Sequence, residues 1–172
     1  LIYDHWIIAY FFAMKKNKTY IVYGNGLGSF RRPNNNLLFT GNSGTLARML
    51  TALISTQDNL KVKISGDESL NKRDMQRIIE PLSRIGCTFY PKNGTTLPIV
   101  IEGTSMPLAM KHEESIGSAQ VKSAILLAAL NTPGITRVEE KIISRNHTEN
   151  LLTAINADIK IKKQKRSNII SI

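Results

Sequence analysis

The chain has 172 residues, 42% of them apolar, and 23 basic against 13 acidic side chains leave a net charge of +10. Such a chain is long and apolar enough for a globular domain with a sizeable core, which excludes a disordered polymer. Its one cysteine, Cys87, excludes a disulfide framework and a cysteine metal cluster, and suggests reducing, cytoplasmic surroundings. The charge suits anionic ligands or nucleic acid. Lysines set among asparagines, as in Lys15-Lys16-Asn17-Lys18, also follow from a low-GC coding bias, so the charge alone does not choose.

Leu1 to Ala13 is apolar but too short to span a bilayer, and Asp4 and His5 interrupt it, so no membrane partner is expected. No basic region precedes it, which argues against a signal peptide. The first residue is not methionine, so the expectation is a piece of a longer reading frame. Tyr20 to Tyr23 reads as a strand entering the turn Gly24-Asn25-Gly26. A loop with Arg31-Arg32-Pro33 and three asparagines leads to a short strand at Leu37-Leu38-Phe39.

The stretch that follows, Gly41-Asn42-Ser43-Gly44-Thr45-Leu46-Ala47-Arg48-Met49-Leu50, holds the clearest chemistry. Two glycines and small polar residues turn the chain, and an apolar helix leaves from about Gly44 to Ile54. Unpaired N–H groups and the positive end of the macrodipole make such a helix start a site for phosphate or carboxylate. Arg48 lies about one helical turn on, where its guanidinium can reach the same anion.

Lys61 to Ile64 alternates as a half-buried strand. A helix is expected from about Asn71 to Ile85, with Met75, Ile78, Ile79, Leu82 and Ile85 on one face. Cys87–Tyr90 and Pro98–Ile101 form a strand pair across Asn93-Gly94. The order then repeats: strand Leu108–Lys111, helix Ser118–Leu130, strand Ile135–Val138, helix His147–Ile155, and strands Ile159–Ile161 and Asn168–Ile170. Two units result, about 37–102 and 106–172. Ser43–Ala47 answers Ser118–Lys122, and Leu82–Ile85 answers Leu152–Ile155. Beyond its first turn Ser118–Leu130 has almost no polar side, and a helix apolar all round belongs inside. Central helices with strands around them follow, the reverse of a doubly wound sheet.

Four motifs in register carry a family resemblance: Gly41–Thr45, Gly66–Arg73, Ser118–Ala124 and Arg145–Glu149. Together they resemble the bacterial EPSP synthase (3-phosphoshikimate 1-carboxyvinyltransferase) family, from about Lys15 onward, with residues 1–14 unmatched. The resemblance implies an α/β fold, an inside-out α/β barrel of βαβαββ repeats with about two of the three repeats of one domain present. It implies transfer of enolpyruvyl from phosphoenolpyruvate to shikimate 3-phosphate with release of phosphate, and no metal or other cofactor. Asn42, Gly44, Thr45, Arg73 and Gln120 match the phosphoenolpyruvate side. Ser118, Ala119, Gln120 and Arg145 match the shikimate 3-phosphate side, Ala119 standing where some members carry a second serine. Arg48 is assigned to local electrostatics and to holding the turn.

Plainer readings stand beside these. Arg73 and Arg145 each begin a helix, where a solvated arginine is the default and the dipole gives no benefit. Ser118 reads equally as an N-cap, and Asn146 with Glu149 as a capping box. His147 reads as structural and Cys87 as a small buried side chain. Cys87 is out of place for the reactive cysteine of the UDP-N-acetylglucosamine enolpyruvyl transferases, the alternative relative. The Lys160–Arg166 run reads as a charged sheet edge. A non-enzymatic basic module is the other alternative, but no aromatic residues interleave with the basic ones, so nucleic acid is not expected as a partner.

The family pattern is broken in places. Asp74 stands where proline is usual and Asn146 where aspartate is usual, so a carboxylate sits beside Arg73. The family's leading lysine–serine–arginine segment is absent, and its acid–base residues belong to a second domain. No catalytic residue is therefore expected within these 172 residues. The expectation is a fragment inactive by itself, with a separately encoded remainder as a further partner.

Overall fold

The computed structural model describes residues 26–172 in full and the backbone of 12–16 and 19–23. Phe12–Lys16 (β1) and Thr19–Tyr23 (β2) pair as an antiparallel hairpin. The expected strand at Tyr20–Tyr23 is therefore β2, while the turn residues Gly24 and Asn25 and the apolar stretch before β1 lie outside the described residues.

Two successive runs of elements follow. The first is β3 (Leu37–Phe39), α1 (Gly44–Ser55), β4 (Lys61–Ser65), α2 (Glu68–Asn71), α3 (Gln76–Ile85), β5 (Thr88–Asn93) and β6 (Thr96–Glu102). The second is β7 (Lys111–Glu114), α4 (Ala119–Ala129), β8 (Arg137–Glu140), α5 (His147–Ala154), β9 (Lys160–Lys163) and β10 (Asn168–Ser171). Each run makes its own four-stranded mixed sheet, ordered β3-β4-β6-β5 and β7-β8-β10-β9. In each the first pair is parallel and the other two antiparallel. A parallel pair needs a crossover, and α1 and α4 supply it.

Across the molecule the order is sheet, helix, helix, sheet. Ala47 and Ile54 of α1 pack with Val62, Ile64, Ile99 and Ile101 of the first sheet. Ala52 of the same helix packs instead with Val121, Ala124, Ile125 and Ala128 of α4, whose core also takes Val138 and Ile170 from the second sheet. Small side chains at this seam let α1 and α4 lie close. β9 is an edge strand, and its four residues are all exposed, as a lysine-rich edge should be.

Of the element boundaries that differ from the sequence reading, three bear on the site. The helix expected over Asn71–Ile85 is two helices. Asp67 caps α2 by accepting from the Leu70 N–H, and the chain then leaves the helix to reach β6. There Asp74 bridges Thr96 and the Met75 N–H donates to Thr95 O at 2.9 Å, so α3 begins only at Gln76. β7 starts at Lys111, the last residue of the expected strand, because Leu108 donates its N–H to Ile85 O and docks on the end of α3. β8 runs to Glu140, two residues beyond the expected Val138; its carboxylate has a buried partner described below.

Glycines mark close approaches. An added Cβ at Gly103 would overlap the carbonyl oxygens of Gln57 and Ile54. Both neighbours are backbone and cannot swing away. Gly103→Ala should therefore destabilise the fold by about 1–3 kcal/mol in urea denaturation. Cys87 is 4% exposed, and burial pushes its thiol up to about 12. A thiol reagent at pH 8 should label it in the unfolded chain and leave it unlabelled in the native one.

Candidate anion-binding site at two helix starts

The turn into α1 is built by backbone and small side chains. Thr40 donates from both its N–H (2.8 Å) and its hydroxyl (3.0 Å) to Ser65 O, pinning the end of β3 to the end of β4. Gly41 has φ +57°, and the Asp67 N–H donates to its carbonyl at 2.8 Å. At Gly66 a Cβ would stand 2.7 Å from that same carbonyl and 2.5 Å from Leu70 Cδ2, so only glycine allows the approach. Ser43 caps α1, accepting from the Leu46 N–H at 3.1 Å.

Arg73 lies between α2 and α3 and not at a helix start. Its Nη2 donates to Asn42 Oδ1 at 3.0 Å, while Asn42 Nδ2 donates to Asp67 Oδ2 at 2.7 Å. A Cβ on Gly44 would lie 3.4 Å from Arg73 Nη1, so the guanidinium rests beside the turn itself. Asn42, Gly44, Thr45 and Arg73 thus share one edge of the molecule.

The start of α4 meets that edge. Ser118 is its N-cap, accepting from the Val121 N–H at 3.3 Å, so the capping reading holds. Two residues on, Gln120 Nε2 donates to Thr45 Oγ1 at 2.8 Å. Its Oε1 accepts from Arg48 Nη1, and Arg48 Nη2 reaches Asp74 O at 3.3 Å. Arg48 therefore ties the two helix starts together. Burial lowers its pKa, with Arg73 and Arg77 nearby adding to the effect and Asp74 opposing it. Arg77 belongs to this cationic group although the sequence reading passed over it; its spacing of four from Arg73 was the available signal.

Asp74 is the carboxylate in this group. The Thr95 hydroxyl at 2.5 Å and the Gln76 N–H at 2.9 Å hold it below the usual carboxylate range, with Arg77 and Arg48 adding to this. It caps the first turn of α3 while lying next to the arginines.

Arg145 is exposed, two residues ahead of α5, and Ala119 opens α4 half-buried. His147 is the first residue of α5 and is also exposed. The capping box does not form. Asn146 makes no side-chain cap, and Glu149 turns inward, 3% exposed, to pair with Lys122 Nζ at 2.5 Å. Lys122 itself is fully buried and also meets Glu140 at 2.9 Å. Burial raises the Glu140 carboxyl, but bonds from Ser144 and Lys122 outweigh it and hold it low. Sequence reasoning missed this triad; one lysine in an otherwise apolar helix was its signal. Among the described residues no group of three or more His, Cys, Asp or Glu could hold a metal, and no helix is long and apolar enough to cross a membrane.

Comparison with known proteins gives one answer. Residues 9–171 match the family model described as EPSP synthase (3-phosphoshikimate 1-carboxyvinyltransferase). The 3-phosphoshikimate 1-carboxyvinyltransferase of Parvibaculum lavamentivorans is 40% identical over 152 residues, covering 88% of this chain and 33% of that protein. The Syntrophomonas wolfei protein of the same name is 44% identical over 141 residues, 81% of this chain and 32% of that one. Among solved structures, EPSP synthase from Acinetobacter baumannii superposes with a TM-score of 0.82 at 32% identity, covering 95% of this chain and 36% of that one. The chain thus spans about a third of the length of these relatives. A turn bound by arginine, a second helix start joined to it and a sequence match along nearly all of the chain agree: the protein belongs to the EPSP synthase family.

Proposed function

We propose that these residues form the substrate-binding wall of a 3-phosphoshikimate 1-carboxyvinyltransferase. In that reading residues 37–102 and 106–172 are two βαβαββ units of one inside-out barrel domain, and residues 1–14 stand outside both. The repeated strand order and the helices between the sheets support it. So does an unmatched apolar face. Pro81 is buried and Ile85 is 0% exposed in α3, whereas their counterparts, Leu151 in α5 and Ile155 at its C-cap, are 59% and 62% exposed. The remainder of the enzyme, present in the longer relatives, would cover that face.

The observation that carries the reading is the bond from Gln120 to Thr45, with Arg48 behind it, which places two positive helix ends side by side. Phosphoenolpyruvate and shikimate 3-phosphate are both anions, and transfer between them requires adjacent anion sites. Backbone N–H groups at Asn42, Gly44 and Thr45 with the Arg73 fork suit phosphoenolpyruvate. Ser118, Ala119 and Arg145 suit the phosphate of shikimate 3-phosphate, and Gln120 stands between the two sites. In the reaction the 5-hydroxyl oxygen of shikimate 3-phosphate bonds to C2 of phosphoenolpyruvate and loses its proton, while the C2=C3 double bond opens and C3 takes up a proton to become a methyl group. The C2–O bond to phosphate then breaks, a proton leaves C3, and orthophosphate departs. The acid–base groups for those proton transfers are, by family resemblance, outside these residues.

Titration calorimetry with each ligand tests the reading. Residues 1–172 should bind both anions yet release no orthophosphate from the mixture. Arg73→Ala should weaken phosphoenolpyruvate by about 10- to 100-fold, the worth of a charged hydrogen bond. Arg48→Met should weaken both ligands, because it frees Gln120 at the shared edge. Binding of neither anion, together with salt-dependent binding of oligonucleotide, would overturn the proposal.

A further inference from the structure

β7 and β8 are parallel neighbours, and their last residues, Glu114 and Glu140, are register partners. Both are buried, at 4% and 1% exposure. Carboxylates at such positions are costly unless fully engaged. Each is engaged with the loop that leaves its own strand. Glu114 Oε1 accepts from the Ile116 N–H at 2.9 Å and the Ser118 N–H at 3.2 Å. Glu140 Oε1 accepts from the Ser144 N–H at 3.1 Å and the Ser144 hydroxyl at 2.6 Å, and meets Lys122 of α4. One loop delivers Ser118, the other ends at Arg145.

The first unit holds its equivalent loops without a buried acid. Thr40 and Ser65 join there through backbone and hydroxyl, and Asn71 clamps Gly66 through Oδ1 to its N–H and Nδ2 to its carbonyl, each at 2.9 Å. The glutamates are thus particular to the second unit. Lys122 extends their reach. Paired with Glu140 on β8 and Glu149 on α5, it fixes the first turn of α4 to both ends of the Arg145 loop. Ser123 Oγ and Thr148 Oγ1, 2.6 Å apart, add a second tie between the same helices.

We propose that Glu114, Glu140 and Lys122 are positioning residues for the anion site at Ser118 and Arg145. They set its two loops at a fixed spacing and make no hydrogen bond to the Asn42–Thr45 turn, which is held through Ser65, Asp67 and Arg73 and meets α4 at Gln120. The assignment of that anion as shikimate 3-phosphate rests on the function proposed above; the loop positioning does not. The three side chains act through Ser118 and Arg145 and touch no ligand themselves.

Hydrogen–deuterium exchange on the whole chain tests the positioning, and ligand titration tests its purpose. Glu114→Ala should raise exchange in residues 115–118 by about tenfold, as the Ile116 and Ser118 N–H groups each lose a hydrogen bond, while residues 41–45 exchange as before. Glu114→Gln, whose amide oxygen still accepts both N–H groups, should restore most of the protection. Ser144→Ala, a milder change than any at Lys122, should loosen residues 141–146 in the same selective way. Both Glu114→Ala and Ser144→Ala should weaken shikimate 3-phosphate by about tenfold and leave phosphoenolpyruvate within about twofold. Unchanged exchange at 115–118, or equal weakening of both ligands, would overturn the proposal. If the unaltered chain binds neither ligand, the substrate reading falls, and the exchange pattern alone decides the positioning.

Discussion

The side-by-side packing of α1 and α4 is the constraint on which the rest of the structure depends. Ala52 on one helix and Ala124 and Ala128 on the other are each no more than 1% exposed. Small side chains bring two backbones close, and the two sheets can then close over the pair from opposite sides. The two helices lie with their N-termini together, as the bond between Gln120 and Thr45 shows. The proposed anion site would then be a by-product of how the core is filled. Two positive ends held next to each other repel unless something negative or hydrogen-bonding occupies the space, and Gln120 and Thr45 do so within the protein.

The two units share strand order and differ in what secures their loops. The first relies on glycine, threonine and asparagine, side chains that cost little to bury when they bond to backbone, with Asp67 and Arg73 less deeply placed beside them. The second uses ionised groups, with Lys122 fully enclosed between two glutamates. Ion pairs of this kind contribute little net stability against an apolar alternative, but they are intolerant of displacement. Such an arrangement suits fixing geometry better than adding stability. The two halves of one fold have thus reached similar loop placement by different chemistry.

Most of the elements were legible because their apolar spacing is strong. The Gly41–Thr45 turn, the buried α4 and the β5–β6 pair follow from local pattern alone. What escaped was set by distant partners. β7 and β8 were placed towards Leu108 and Ile135, since apolar residues attract a strand assignment. The actual strands end in Glu113-Glu114 and Glu139-Glu140, which read as loop until Lys122 and the following N–H groups are in view. Likewise Asn146 and Glu149 have capping-box spacing, but a buried lysine outbids the helix end for the glutamate. The break before α3 depends on Thr95 and Thr96, some twenty residues away. Arg73 and Arg48 were legible as cations; their convergence on Asn42 and Gln120 was a matter of tertiary structure.

A guanidinium has donors and no acceptor, so Arg48 settles which way round the amide of Gln120 stands. With its oxygen held by Arg48, the NH2 group is turned toward Thr45 and the edge shared by the two helices. An uncharged side chain thereby acquires a permanent polarity. Its second amide hydrogen is then a donor of fixed direction, suited to a group that carries oxygen lone pairs.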